Sequence, residues 1–486
     1  MSRTLTLPRG LAILLCLAPL AAAVQAQDAP GPYAFENGYP TAETVQRVYD
    51  DVDLNRALQT YRFFYPNVAM MHLWKSNLAL GQVPNKVFTI LEGTPKKRVF
   101  TANSDTPYAG AMLDLSAGPV VVELPVGPIM SVVNDLNQRW VADLGLPGPD
   151  KGQGGKYLFL PPGYQGEVPA GYFTAQSTTN RLLLMLRALP KDGQQAAIAL
   201  MKSVKIHPLD NAAAWPAPQW LDQAGKASDI STVPMESTLQ YWRELHELID
   251  SEPAFAEYQN YYGELAALGI AKGKPFNPDA RMQRILTEAA QRGNAQMRVQ
   301  SLADRRADRL AWPDRQWEWA VLRPENGKFE VDGRVDLEAR EKWFYQAMIA
   351  SPAMFRRAPG AGSLYWLGSR DNHGAFLDGS KTYKLSVPQP VPAKLFWSVT
   401  VYDSETRSQI ENPQNHAALR SMIELQSVAK EGVTELYFGP TAPAGHEKQW
   451  IKTLSGKGWF TYFRIYGPEA AAFDGRWKPY DFEEVK

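Results

Sequence analysis

The sequence is poor in cysteine, in histidine and in charge imbalance. Its one cysteine, Cys16, lies within the first 26 residues. A chain beginning at Gln27 therefore has no disulfide, no thiolate ligand and no thiol nucleophile. The six histidines are His72, His207, His246, His373, His416 and His446. No two stand at a metal-ligand spacing, and there is no H-E-x-x-H. Lys plus Arg number 51 and Asp plus Glu also 51. No basic field is available to grip phosphate backbones, which argues against nucleic acid as a partner. The run Arg305-Arg306-Ala307-Asp308-Arg309 follows Asp304 and suits a solvated helix face. No G-x-S-x-G elbow and no dinucleotide glycine pattern occurs. The stretch GPDKGQGGKY fails as a phosphate loop. Asp150 stands where the first glycine is needed, and Tyr157 follows Lys156 in place of Ser or Thr. The sequence thus carries no cofactor motif.

Long apolar runs are scarce too. The one at the N-terminus, Leu11 to Ala23, follows a basic head of Arg3 and Arg9 and precedes Val24-Gln25-Ala26. Its length suits a secretory signal and is short for a membrane span. Cleavage before Gln27 and a periplasmic location are expected. No later run is long and apolar enough to span a bilayer. Roughly 460 residues remain, enough for two or three domains with a sizeable core. Aromatics are plentiful, with 14 Trp and 21 Tyr. Their apolar bodies and polar tips suit both sheet packing and ligand pockets.

Residues 41 to about 80 place Val45, Val48, Val52, Leu58, Tyr61 and Phe64 at helical spacing. From about 86 the runs KVFTIL, PVVVELPV, IMSVVNDL, KYLFLPP and GYFTAQST predict short strands of an antiparallel sandwich or barrel. From about 186 to 310 helix dominates, with stripes at Leu239, Trp242, Leu245 and Ile249, and at Phe255, Tyr258, Tyr262 and Leu265. Asn277-Pro278 predicts a helix start. After about 360 LFWSVTVYD, TELYFGP and GWFTYFRIYGP alternate as strands. The expected class is α+β, with two β domains joined by a helical middle. The expected segments are 1–26 (signal), 27–190, 191–345 and 346–486.

Longer blocks carry a family pattern. ANSDTPYAGAMLDLSAGPVVVELP and VVNDLNQRWVADLGLPGPDKGQGGKYLFLPPGY resemble the bacterial family called domain of unknown function 1254. LDGSKTYKLSVPQPVPAKLFWSVTVYDSETRS and LYFGPTAPAGHEKQWIKTLSGKGWFTYFRIYGP resemble its usual companion, domain of unknown function 1214. The matching blocks cover roughly 86–190 and 360–480. The resemblance implies two antiparallel β-sandwich, jelly-roll-like domains around a helical layer, and no agreed reaction. His373 and His416 sit where the sequence departs from the family pattern.

Three polar clusters are candidates for a site. In the first, Asn103 and Asp105 suit an Asx turn, and Thr106-Pro107 starts an extended segment. Thr106 and Tyr108 then share a strand face beside a carboxylate. In the second, Asp135 and Arg139 either close a loop or present Arg139 as a carboxylate fork with Trp140 as a stacking wall. In the third, Arg407 follows an Asp403-Ser404 turn and either pairs with an acid or points at a ligand. Trp397, Trp459 and Phe463 suit the core. With no thiol, metal spacing or cofactor motif, the remaining chemistry is acid–base. Asp105, Tyr108 and Asp135 are the catalytic candidates. Asn103, Thr106, Arg139, Trp140 and Arg407 are the substrate-binding ones. The sequence therefore suggests hydrolysis, elimination or isomerisation of a small organic molecule. The rivals are a non-catalytic periplasmic binding or envelope protein, and a scaffold making homo-oligomer contacts. A site places Asp105, Tyr108 and Asp135 around one solvent-reachable cavity, whereas a scaffold scatters them, each satisfied by backbone.

Overall fold

The computed structural model describes residues 33–323, 327–360, 362–428 and 431–485; the expected signal, residues 1–26, lies outside them. The chain divides after Val52. In the N-terminal unit Phe35–Glu36 and Tyr39–Pro40 pair antiparallel, and Tyr33 donates a hydrogen bond to Asp51 (2.9 Å). The main unit starts at Asp53, inside the helix Ala42–Ala79. From there the helix buries Tyr61, Phe64, Val68 and Met71, the stripe of a helix face turned to a core.

Beyond residue 86 the apolar period shortens from that of a helix to that of a strand. The larger sheet of this region has six strands. In spatial order they are Gln219–Asp222, Val87–Leu91, Tyr108–Asp114, Arg181–Ala188, Ile129–Asp135 and Trp140–Gly145. A smaller sheet runs Phe173–Gln176, Gly155–Leu160, Val120–Leu124, Lys205–Pro208. One apolar cluster draws Phe88, Leu113 and Leu184 from the first sheet and Val122, Phe159 and Ile206 from the second. Each such side chain, fully buried, contributes about 1.5–3 kcal/mol.

Two details correct the sequence expectation. Phe173–Gln176 pairs parallel with Gly155–Leu160, and Gln219–Asp222 parallel with Val87–Leu91, so the region is not purely antiparallel. Long crossovers permit this, as parallel neighbours require. Lys205–Pro208 and Gln219–Asp222 also fall in a stretch the sequence reads as helical. At four residues each they are too short for alternation to show.

The helical layer comprises Leu239–Ser251, Gln259–Ala267, Ala280–Leu302 and Leu337–Gln346. Its core joins Tyr61 and Phe64 to Trp242, Leu245, Leu286 and Ala289. The third of these helices begins two residues later than Asn277-Pro278 predicts. Asp279 is its cap, accepting from the Met282 amide at 2.7 Å.

The C-terminal β region has a five-stranded sheet in the order Glu318–Trp319, Ser363–Gly368, Trp459–Pro468, Ala393–Asp403, Ala418–Arg420. A four-stranded sheet runs Trp450–Lys452, Val433–Gly439, Thr382–Pro388, Phe482–Val485. Trp366, Trp397, Val399 and Phe463 of the first share an apolar cluster with Leu385, Phe438 and Phe482 of the second. Trp397 stacks on Phe463 at 5.4 Å, and Trp459 is buried beside them, the core role expected from the sequence. Among the described residues no sheet closes on itself. The fold is mixed α+β.

Candidate functional site

Alternation along two C-terminal strands sets up a polar face. In Ala393–Asp403 and Trp459–Pro468, Trp397, Val399, Phe463 and Ile465 fill the apolar core. Period-two geometry turns Ser398, Thr400, Tyr462, Arg464 and Tyr466 to the opposite face. Tyr365, opposite Arg464 on the next strand, joins them.

The knot Asn103–Tyr108 packs on this face. Asn103 Oδ1 accepts from the Asp105 amide (3.0 Å), the Asx turn the sequence suggested. The turn carries Asp105 inward, to 1% exposure. Asp105 Oδ2 accepts from Ser398 Oγ (3.0 Å) and from the Tyr466 hydroxyl (2.9 Å). Asp105 Oδ1 is buried and has no hydrogen-bond partner. An orphaned buried oxygen of this kind costs about 1–3 kcal/mol and calls for a reason.

Two guanidinium groups flank the carboxylate. Arg187, directly across the strand pair from Tyr108, donates from Nε to Thr106 Oγ1 (3.0 Å) and from Nη2 to the Tyr466 hydroxyl (3.3 Å). Its guanidinium lies over the Tyr108 ring at 5.2 Å. Arg464 donates to Thr400 Oγ1 (3.1 Å) and to the Thr101 carbonyl (2.8 Å), and its buried Nε has no partner. Neither arginine lies within 4.0 Å of a carboxylate oxygen of the described residues. The Tyr108 hydroxyl likewise makes no hydrogen bond among the described residues. Burial pushes the Tyr108 and Tyr466 hydroxyls up, and Asp105 adds to this for Tyr466, so both stay neutral donors at physiological pH. The cluster therefore holds one carboxylate, two cations and neutral tyrosines. Arg187 is only partly buried and forms its solvent side.

Asp135 is elsewhere. Tyr108 pairs across from Arg187, and Asp135 from Leu182, five positions further along the same strand. At about 3.3 Å per residue that separates them by about 17 Å along the strand. The expected grouping of Asp105, Tyr108 and Asp135 around one cavity does not occur. Asp135 Oδ1 accepts from the Asn137 and Arg139 amides (3.0 and 2.9 Å), and Oδ2 from the amide and hydroxyl of Thr178. Burial pushes its carboxyl up, and these bonds oppose the shift. Every lone pair so engaged closes the loop instead of facing a ligand. Arg139 pairs with Glu257 (3.2 Å) and Glu330 (3.4 Å). The void it lines is about 10 Å³, room for one water and no organic molecule. Trp140 packs on Gly327, where a Cβ would lie 2.6 Å from that of Trp140.

Arg407 is also a structural residue. Its fork grips Glu236, with Nη1 at 3.2 Å from Oε2 and Nη2 on Oε1. Phe100 and Tyr345 rings lie on it at 4.2 and 4.1 Å. Glu236 accepts further bonds from Tyr65 (3.1 Å), Thr232 (2.9 Å) and Asn294. Burial pushes the Glu236 carboxyl up, and Arg407, with the bonds from Asn294 and Thr232, more than reverses this, leaving it below the usual range. The partner that a buried arginine requires is thus supplied by the protein itself.

Sequence reasoning missed Arg187, Ser398, Arg464 and Tyr466. A signal was present for the last two: Tyr462, Arg464 and Tyr466 stand at every second position of YFRIY, between the apolar Phe463 and Ile465. Thr106 belongs to the cluster, but as the acceptor that orients Arg187.

No curated protein matches the chain. Two solved structures are similar over most of its length. The VPA0106 protein from Vibrio parahaemolyticus is 18% identical, with a TM-score of 0.56, covering 89% of this chain and 100% of that one. An uncharacterized protein from Burkholderia cenocepacia is 12% identical, with a TM-score of 0.42, covering 90% and 96%. The first likeness supports the fold alone. Two family models match as well, each described as a protein of unknown function: the chain carries a DUF1254 match at residues 86–208 followed by a DUF1214 match at residues 362–470.

Proposed function

We propose that the Asp105 cluster binds a small organic molecule and acts on it by acid–base chemistry. The observation that carries this reading is the orphaned, buried Asp105 Oδ1. Tyr108, whose hydroxyl makes no hydrogen bond among the described residues, and the Arg464 Nε supply donors beside it. Asp105 takes a proton from the ligand, and the neutral Tyr108 hydroxyl donates to the oxygen on which charge develops. Hydrolysis, elimination and isomerisation all use such a pair. The excess of cations over carboxylates favours a ligand bearing an acidic group. The test is an unbiased metabolite-binding and turnover screen on the protein beginning at Gln27. Asp105→Asn keeps the shape and the bonds from Ser398 and Tyr466. It is expected to abolish turnover or binding while stability changes by less than about 1 kcal/mol. Asn103→Ala is the contrast: it loses one local bond, lowering stability by about 1 kcal/mol. A hit that Asp105→Asn leaves untouched would sink the proposal. A hit bound and never turned over would favour the non-catalytic binding protein.

Two finer readings go with this. Each β region is proposed to be a two-sheet sandwich, which the shared apolar clusters support. Export to the periplasm is proposed from residues 1–26. N-terminal sequencing of periplasmic protein is expected to begin at Gln27, and an intact Met1 there would refute export by cleavage.

A further inference from the structure

A cavity of about 150 Å³ lies in the helical layer, away from the Asp105 cluster. Its walls come from the end of the helix Leu239–Ser251 (Leu248, Ile249), from Tyr262 on the helix Gln259–Ala267, and from Ile270 just beyond that helix. Leu248 and Ile270 are buried, whereas Ala254 and Lys272 are exposed and mark the mouth. An apolar cavity of this size accepts a molecule of about six carbons.

The polar groups around it have a bias. Glu252 is charge-paired: Oε2 accepts from the Asn180 amide (2.6 Å), and Oε1, which makes no hydrogen bond, lies 2.7 Å from Arg181 Nε in an ion pair that offsets its charge. The Asn137 side chain donates to Thr178 and accepts from Asn67. Donors remain available. Lys272 Nζ reaches the carbonyls of Asp250 (2.7 Å) and Glu252 (2.8 Å), which leaves one of its three N–H groups. The Tyr262 oxygen accepts from the Phe255 amide (3.1 Å), and its own proton has no acceptor among the described residues. The walls want carbon, and the rim wants an acceptor.

We propose that this cavity is a binding site for a short amphiphile, an apolar body of about six carbons with a carboxylate held at Lys272 and Tyr262. The site is independent of Asp105. Hexanoate is the probe, with hexan-1-ol and hexylamine as head-group controls, and binding to the full chain is followed by calorimetry and ligand-observed NMR. Hexanoate is expected to bind saturably, with contacts from its methylenes to the Tyr262 ring, and hexylamine is expected not to bind. Lys272→Gln should weaken hexanoate about tenfold, the scale of one charge-assisted hydrogen bond, and leave hexan-1-ol unchanged. Ala254→Phe should block both by filling the mouth; if that variant fails to fold, the Lys272→Gln comparison decides alone. Asp105→Asn should bind hexanoate as the parent does. Loss of binding in Asp105→Asn would place hexanoate in the other cluster and overturn the proposal. So would the absence of saturable binding below about 10 mM, or equal affinity in Lys272→Gln.

Discussion

Asp143 shows how one side chain ties stability to pH. It sits on the strand Trp140–Gly145 and accepts from Ser351 Oγ at 2.6 Å. Burial pushes its carboxyl from 3.8 up to about 6, against the opposing pull of Ser351 and Trp140. The folded chain therefore holds this proton more tightly than the unfolded one. The stability Asp143 lends is complete below about pH 4 and is lost as the pH rises to about 6. A shift of that size corresponds to about 3 kcal/mol. Asp143→Asn keeps an oxygen for Ser351 and carries no charge. It should be more stable than the parent at pH 7, and the gap should close towards pH 4. Urea unfolding at both pH values checks this; a gap that does not move with pH refutes it. Residues of this kind were not legible in the sequence, because desolvation depends on what covers a side chain. The Asx turn at Asn103 was legible, because its donor is two residues away.

At the level of elements, the Arg407–Glu236 pair joins a loop of the C-terminal region to the helical layer. Tyr65 of one helix and Asn294 of another bond the same carboxylate. Arg407→Met would leave Glu236 buried without its cation, and unfolding by denaturant should show a loss of about 3–5 kcal/mol. Adding Glu236→Gln should restore part of that, because the uncompensated charge goes too. Failure of the second change to restore anything would mean that the packing of the Arg407 stem matters more than its charge. The strands at Val120–Leu124 and Ile129–Asp135 were readable as β-rich runs bounded by turn residues, and Trp459–Pro468 from alternation, all of them local properties. Their neighbours were not. Register across Arg187 and Tyr108 joins segments far apart in sequence, so the sequence exposed each wall of the site and hid which walls meet. Asp135 was misplaced for that reason: its residue type suited a site, and its sheet position did not.

Across the whole molecule, the knot at 101–105 binds the two β regions together. The Thr101 carbonyl accepts from Arg464, its hydroxyl donates to the Gln346 carbonyl, and Asp105 accepts from Ser398 and Tyr466. Bonds this buried do not survive the melting of one region alone. Scanning calorimetry of residues 27–486 should show one cooperative transition, and two resolved peaks would contradict this. The same bonds also set a clock. Asp105 and Tyr466 stand 361 positions apart. At synthesis rates of about 5–20 residues per second, Asp105 leaves the ribosome about 20–70 s before its last partner. The sheets of the N-terminal region have their own core and can form during that wait. The carboxylate cannot be enclosed until the strand Trp459–Pro468 has been made. A chain that stalls or ends before this strand thus leaves Asp105 without its Tyr466 partner, and only the strand Phe482–Val485 is made later.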